Sequence, residues 1–358
     1  MTTDPDRHER QRQMPGWDQS RVAGATAVVA GVGALGNEVA KNLGMLGIGR
    51  LILCDPDTVA AHNLSRTVLF DSSDLDRPKA EAAARSLARI APGTVVDARV
   101  DDLVRGVGMG ELADADVVLG CLDTRWARLQ LLERCTLAGA ALVDGGTHPW
   151  GGEVRLRVDA EEPCYGCTLT PAERWSSEVP ASCAELGDRP LAASILSSSL
   201  VAGWMAAAAA RQVLGTPLPW RFLSIDIAAS DTAAVTVDRD PGCPHHTASG
   251  AVPRVPVSRD DTVGELLAVL APGSEALAWA EFPVPQECYR CHGSCDPGYG
   301  YREPTITCPH CGNRFRLRRT TRIGEASAGT KLAELGIAPH EVLAVRSAEG
   351  RYSWLRLG

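Results

Sequence analysis

A doubly wound, mostly parallel α/β sheet followed by a small α+β domain is the architecture this sequence predicts, on three observations. Short apolar runs alternate with helix-length stretches through the first half of the chain. A glycine-rich turn joins the first apolar run to the first helix. Two Cys-x-x-Cys pairs lie in the C-terminal region at the spacing of a zinc ribbon.

Taken in order, residues 1–23 are polar and read as an N-terminal arm. Their start has no apolar core and does not read as a signal peptide. Ala25–Ala30 is an apolar strand, Asn37–Leu46 a helix and Arg50–Cys54 the next strand. Lys79–Ile90 is a helix that Pro78 starts. Asp116–Cys121 and Ala140–Asp144 are further strands. Residues 148–190, rich in turn formers, read as an irregular excursion. A long apolar helix over 191–214 follows, then a strand near Arg221–Ile227. The uncharged stretch Leu191–Ala210 is long enough to span a bilayer. It is mostly Ala and Ser, whose transfer to lipid gains little, so it reads as a buried helix and not a membrane span. The expected boundaries are 24–247 for the main domain, 248–259 for a linker and 260–358 for the second domain.

Composition sets bounds. The chain has 358 residues, 45% apolar and 22% charged, with a net charge of −8. That balance is globular, and its acidity argues against nucleic acid as the main partner. Twelve cysteines without an export signal read as reduced, cytoplasmic and zinc-binding.

Gly31-x-Gly33-x-x-Gly36 sits between a strand and a helix, the context of a Rossmann-like nucleotide loop. Gly31 permits the tight turn, Gly33 lets backbone approach phosphate and Gly36 lets the helix pack closely. The helix start then offers unpaired N–H groups to an anion. Asp55, at the end of the next strand, stands where a carboxylate accepts ribose hydroxyls. Alone, this fits NAD as well as ATP. Two cations, Arg66 and Lys79, and a carboxylate at a strand end, Asp123, then follow. A hydride-transfer site needs no such set; it suits ATP with Mg²⁺, the cations meeting phosphate charge and Asp123 holding the metal.

At these residues the sequence resembles the family of adenylylating enzymes that includes the molybdopterin-synthase and thiazole-biosynthesis adenylyltransferases and the ubiquitin-activating enzymes. The matching pattern is Gly31-x-Gly33-x-x-Gly36, Asp55-Pro-Asp57, Asn63-Leu-Ser-Arg66, Arg77-Pro-Lys79 and Asp123, across about residues 10–247. The resemblance implies that Asp55 is the ribose ligand, that Asp57 belongs with it to the ATP-binding set, that Asn63, Arg66 and Lys79 bind phosphates, and that Asp123 is the magnesium ligand. It implies a homodimer in which Arg12, followed by Gln13, reaches the other copy's ATP. Thr67 and Thr124 depart from the family's frequent Gln and Asn, which bears on fine positioning only. Cys164-x-x-Cys167 and Cys243-Pro-His245-His246 each have the spacing of half a tetrahedral zinc site. The resemblance joins them into one structural zinc held by Cys164, Cys167, Cys243 and His246. It also places Cys183 in the loop where thioester-forming members carry their nucleophile, while other members only adenylylate.

Cys288-x-x-Cys291 and Cys308-x-x-Cys311 form the zinc-ribbon signature, within residues 286–318, and Cys295 is an unpaired extra. Thr262–Leu270 reads as a helix, and Ala276–Phe282 and Tyr352–Leu357 as strands. These flanks resemble the β-grasp, ubiquitin-fold domain that ends activating enzymes and recruits a conjugating enzyme.

The expected function is ATP-dependent adenylylation of the C-terminal glycine of a ubiquitin-like or sulfur-carrier protein, with a conjugating enzyme or sulfurtransferase downstream. Its rivals are adenylylation of a peptide or small acid, a non-catalytic nucleotide-binding scaffold and a nicotinamide oxidoreductase.

Overall fold

A computed structural model describes residues 7–175 and 194–358. The chain divides into two compact units, Met1–Leu103 with Leu112–Gly250, and Val104–Glu111 with Ala251–Gly358.

Two short helices, α1 (Glu9–Arg12) and α2 (Gln19–Gly24), precede strand β1 (Thr26–Ala30), so the arm is partly helical. Helix α3 (Ala34–Leu46) starts directly after Gly33, three residues earlier than expected, and ends at Gly47 in the left-handed region. Strand β2 (Arg50–Cys54), helix α4 (Lys79–Ile90) and strand β3 (Val95–Arg99) follow. Next come α5 (Leu103–Gly106), α6 (Met109–Asp114), β4 (Val117–Gly120), α7 (Arg125–Ala138) and β5 (Leu142–His148). Strand β6 (Gly151–Arg157) and helix α8 (Pro171–Trp175) occupy the region read as irregular. Helix α9 (Ile195–Leu214), β7 (Phe222–Asp226) and β8 (Asp231–Val235) complete the unit.

The strands form one sheet in the order β3-β2-β1-β4-β5-β6-β7-β8. The first five are parallel and the last three antiparallel. Three strands of this unit escaped the sequence reading for one reason: none is a continuous apolar run. β3 lies at an edge and mixes Asp97 and Arg99 with its valines, and β8 is exposed along its length at the other edge. β6 alternates apolar and charged residues, and its arginines turn inward to meet partners.

The core of the first unit packs β-strand residues such as Val29, Leu53, Leu119 and Val143 against Val39, Leu43, Val201 and Met205 of α3 and α9. The apolar stretch read as a buried helix is thus a core helix on one side. No helix among the described residues is long and apolar enough to cross a membrane.

The second unit begins with β9 (Arg254–Val255), so part of the expected linker is built into its sheet. Helix α10 (Val263–Val269) carries a capping box between Thr262 and Glu265. Strand β10 (Glu275–Pro283) leads into two small hairpins, β11 (Gln286–Glu287) with β12 (Ser294–Cys295) and β13 (Thr305–Thr307) with β14 (Arg314–Arg316). β15 (Arg319–Arg322), β16 (Val342–Arg346) and β17 (Tyr352–Leu357) complete a five-stranded sheet in the order β15-β10-β16-β17-β9. The cysteine-bearing hairpins are therefore an insert between two paired strands of an α+β unit. Its core is Val263, Leu266, Phe282, Ile323, Leu332, Leu343 and Leu357.

Residues 104–111 fold with this unit. The buried Glu341 accepts the Met109 N–H through Oε1 at 3.1 Å, and Gly110 N donates to His340 O at 3.0 Å.

Candidate active site

The parallel register aligns the carboxyl ends of three strands. Ala30 pairs with Cys54 on one side and with Gly120 on the other, so Gly31, Asp55 and Cys121 emerge together. This crevice is where an open α/β sheet binds ligands. Gly31 has φ +88°, and a Cβ on it would stand 2.6 Å from the Cys121 carbonyl oxygen. A Cβ on Gly36 would come within 1.9 Å of Gly31 O, so helix and loop are in direct contact there. Gly33 is open, with nothing within 4 Å of where its Cβ would be. It caps α3 without a side-chain hydrogen bond, so the helix start faces an open approach that suits phosphate.

Asp55 is buried. Its Oδ2 accepts the Val32 N–H at 2.6 Å and its Oδ1 accepts the Asp57 N–H at 2.9 Å. Burial pushes its carboxyl above the usual carboxylate range, and Lys79 and the two backbone donors oppose that shift. Lys79, first residue of α4, donates from Nζ to Asp57 Oδ2 at 2.7 Å, and its backbone N–H bonds Asp57 O at 2.9 Å. The glycine loop, Asp55, Asp57 and Lys79 are therefore one connected cluster. Lys79 is only 11% exposed at its side chain while Asp57 is 66% exposed. An entering phosphate can displace the outer carboxylate from the inner cation.

Asn63 and Arg66 sit on the following turn. Asn63 spends its side-chain oxygen on the Ala60 N–H at 2.9 Å, which leaves its amide NH₂ as the group it can present. Its backbone carbonyl accepts the Arg66 N–H. Arg66 Nη1 rests on His62 O at 2.7 Å. What docks this turn is Asn37, in the first turn of α3, whose Oδ1 accepts the N–H groups of both Val68 and Leu69 at 2.8 Å. Asp123 is exposed, two residues past Cys121 and just before the Thr124 cap of α7.

Arg12 lies at the exposed end of α1. Gln11 and Gln19 donate to Leu46 O at 3.1 and 3.0 Å, which holds this arm at the C-terminal end of α3. The glycine loop is at the other end of that helix, about 20 Å away at 1.5 Å per residue. Cys183 lies outside the described residues. Burial raises the thiols of Cys54, Cys121 and Cys135 well above the ordinary range, as expected of core cysteines.

Sequence reasoning missed a second cluster behind the crevice. Asp144, buried within β5, accepts Arg128 Nη1 at 2.8 Å and Arg155 Nη1 at 2.6 Å. Arg155 also meets Glu153, and its guanidinium lies 4.4 Å from the Tyr165 ring centroid. Burial lowers the Arg155 pKa and Asp144 opposes this. Arg128, Asp144, Arg155, Arg157 and Tyr165 line a small cleft beside Cys164. Arginines alternating along β6 were the one signal available.

Cys164, Cys167, Cys243 and His246 converge, with Cys164 Sγ 3.7 Å from both other sulfurs and from His246 Nε2. A tetrahedron of 2.3 Å zinc–sulfur bonds has edges of about 3.8 Å, so the four atoms fit that ion. A Cβ on Gly166 would stand 2.9 Å from Cys243 Sγ, so glycine leaves the room the ligands need. His246 Nδ1 is 2.6 Å from Ala160 O, which directs Nε2 inward. Cys288, Cys291, Cys308 and Cys311 form the second such group, with sulfur pairs at 3.6 and 3.7 Å.

Comparison with known proteins fits this geometry. The model of the ThiF family matches residues 7–245. The molybdopterin-synthase adenylyltransferase of Salmonella typhimurium is 32% identical over 247 residues, covering 66% of this chain and 94% of that protein. The sulfur carrier protein adenylyltransferase of Thermus thermophilus is 32% identical over 249 residues, covering 67% and 89%. Among solved structures, E. coli MccB with ATP shares the fold at TM-score 0.53 and 21% identity, covering 64% of this chain and 68% of that one. A glycine-loop crevice at the strand ends and a family match over residues 7–245 agree, and the chain belongs to the ThiF family as an E1-like adenylyltransferase.

Proposed function

We propose that this enzyme transfers AMP from ATP to the C-terminal glycine of a small ubiquitin-like or sulfur-carrier protein. The observation that carries this is the joined cluster of the glycine loop, Asp55, Asp57 and Lys79, with Arg66 and Asp123 on adjoining loops. The named activities of the molybdopterin-synthase and sulfur-carrier relatives supply the substrate class.

In this reading α3 and Gly33 receive phosphate, and Asp55 takes the ribose. A carboxylate oxygen of the carrier attacks the α-phosphorus. A new P–O bond forms, the bond to the β-phosphate oxygen breaks, and pyrophosphate leaves with the electron pair. Lys79, Arg66 and the amide of Asn63 meet the growing charge. Asp123 would hold the magnesium ion, which supplies further charge neutralisation. Arg12, on an arm fastened at the end of α3 far from its own copy's glycine loop, serves the site of a second copy. Helix α9 offers Leu196, Leu200 and Trp204 as an exposed apolar stripe at four-residue spacing for such a dimer. The acyl group is then transferred to sulfur with AMP as the leaving group, either to a sulfur donor or to the Cys183 thiolate as a thioester and onward to a conjugating enzyme. Zinc at the two cysteine-containing sites would cross-link the segments that bear its ligands.

The test is ATP–pyrophosphate exchange with a carrier protein ending in Gly-Gly, followed by a non-reducing gel. Carrier-dependent exchange that fails with the carrier's last glycine removed supports the reading. Exchange with small acids or a peptide alone would replace it. A thiol-sensitive band lost in Cys183→Ala marks the conjugation branch, and its absence marks the sulfur-transfer branch.

A further inference from the structure

The ribbon insert is the most basic part of an acidic chain. Residues 286–322 hold seven arginines and three carboxylates, against a whole-chain charge of −8. Four thiolates and a divalent metal would lower the insert's excess of four positive charges by two, so it stays basic when loaded.

The arginines are ordered. In the run Arg314-Phe315-Arg316-Leu317-Arg318, Phe315 and Leu317 are buried and the three arginines are exposed. Phe315 packs with Cys288, Cys295 and Cys308, so the opposite face of β14 presents the guanidinium groups. Alternate residues on a strand are about 7 Å apart, so Arg314 and Arg316 form two rungs of a ladder, and Arg318, two residues past β14, continues the alternation of exposed arginines along the chain. Across the hairpin Thr305 faces Arg316 and Thr307 faces Arg314. Neither Arg314 nor Arg316 makes an ion pair among the described residues; Arg314 Nε donates to Thr305 Oγ1 at 2.9 Å, and Arg318 pairs with Glu325. Fold stability does not call for a row of exposed like charges, which repel one another across adjacent alternate positions.

We propose that the outward face of the β13–β14 hairpin docks an extended acidic polypeptide segment whose carboxylates recur at alternate positions. A strand repeats its side chains with the same period, so each carboxylate meets one guanidinium and can be held by two N–H donors. Guanidinium is the cation best suited to such paired contacts. Single-stranded nucleic acid is disfavoured on this face. Such sites add aromatic platforms for the bases, whereas the exposed Tyr289 packs edge-on against Phe315, the residue that points away from the ladder. The neighbouring strand adds threonines and no further cations.

The experiment uses the full zinc-loaded chain and fluorescence anisotropy with three labelled probes: an octapeptide of alternating Glu and Thr, the same residues in two blocks, and an oligouridine. The alternating peptide should bind at about 0.1 M salt and lose most of its binding at about 1 M, where screening reaches only about 3 Å. The block peptide should bind about threefold more weakly, since only part of its charge is in register. Arg314→Glu with Arg316→Glu should weaken the alternating peptide about tenfold. Arg314→Lys with Arg316→Lys should retain more of it, and zinc content should be unchanged in both pairs. Equal binding to wild type and to the Glu variant overturns the proposal. So does tighter, ladder-dependent binding of oligouridine, which would make this a nucleic-acid surface.

Discussion

Asp55 combines burial with service to two backbone donors, and this has a pH consequence. Its folded-state pKa is raised by burial, so the folded chain holds that proton more tightly than the unfolded chain. The stability this contributes is present below about pH 4, the ordinary aspartate value, and is lost as pH rises through the folded pKa. The melting-temperature difference between wild type and Asp55→Asn should therefore shrink, or move in the variant's favour, as pH rises from about 4; a constant difference would refute the raised pKa. Asp123 makes the opposite kind of claim, because it is exposed and its loss should leave the fold intact. Asp123→Ala should cut pyrophosphate exchange by about a thousandfold, or about 4 kcal/mol, with an unchanged melting temperature. Residues of this sort were legible in the sequence because their chemistry is local to a motif. Asn37, Asp144, Arg128 and Arg155 were not. Asn37 matters through a turn that returns to it thirty-one residues later, and Asp144 through arginines on another helix and another strand.

At the level of elements, the buried parallel strands announced themselves by continuous apolar runs. β6 did not, because Arg155 and Arg157 disguise an inward face as a polar one. Arg157 donates to Ala160 O and His245 O, next to the first cysteine–histidine site, and also meets Thr136 of α7. That site joins Cys167 to Cys243 across α9, β7 and β8, a long loop, whereas the ribbon site closes a short one. Closing the longer loop removes more entropy from the unfolded chain. Zinc content should be about two per chain, and about one in either Cys243→Ser or Cys308→Ser. The main thermal transition should fall substantially in Cys243→Ser and stay in place in Cys308→Ser. Equal falls in both would show that the ribbon is not a local fold.

For the molecule as a whole, the arm offers the clearest test of assembly. Gln11 and Gln19 fasten it to the far end of α3 from the glycine loop. Arg12→Ala and Asp123→Ala chains, each inactive alone, should regain up to about a quarter of wild-type exchange when mixed and allowed to re-pair, the share expected if subunits combine at random. Dimers that form without any recovery would show that Arg12 acts within its own copy or not at all. The overall division of the chain could be read in advance only in outline, because one piece of the second unit comes from a distant stretch of sequence.

That piece, residues 104–111, makes the C-terminal unit a part in two pieces. Val107 and Met109 are fully buried, and Glu341 closes on the Met109 backbone. A cut at Gly250 would remove most of the unit yet leave its other fragment behind, with apolar side chains that have lost their cover. Exchange of this unit between relatives therefore takes two coordinated splices, one between β3 and β4 and one after β8. A single crossover yields a chain with an orphaned segment in the connection between β3 and β4.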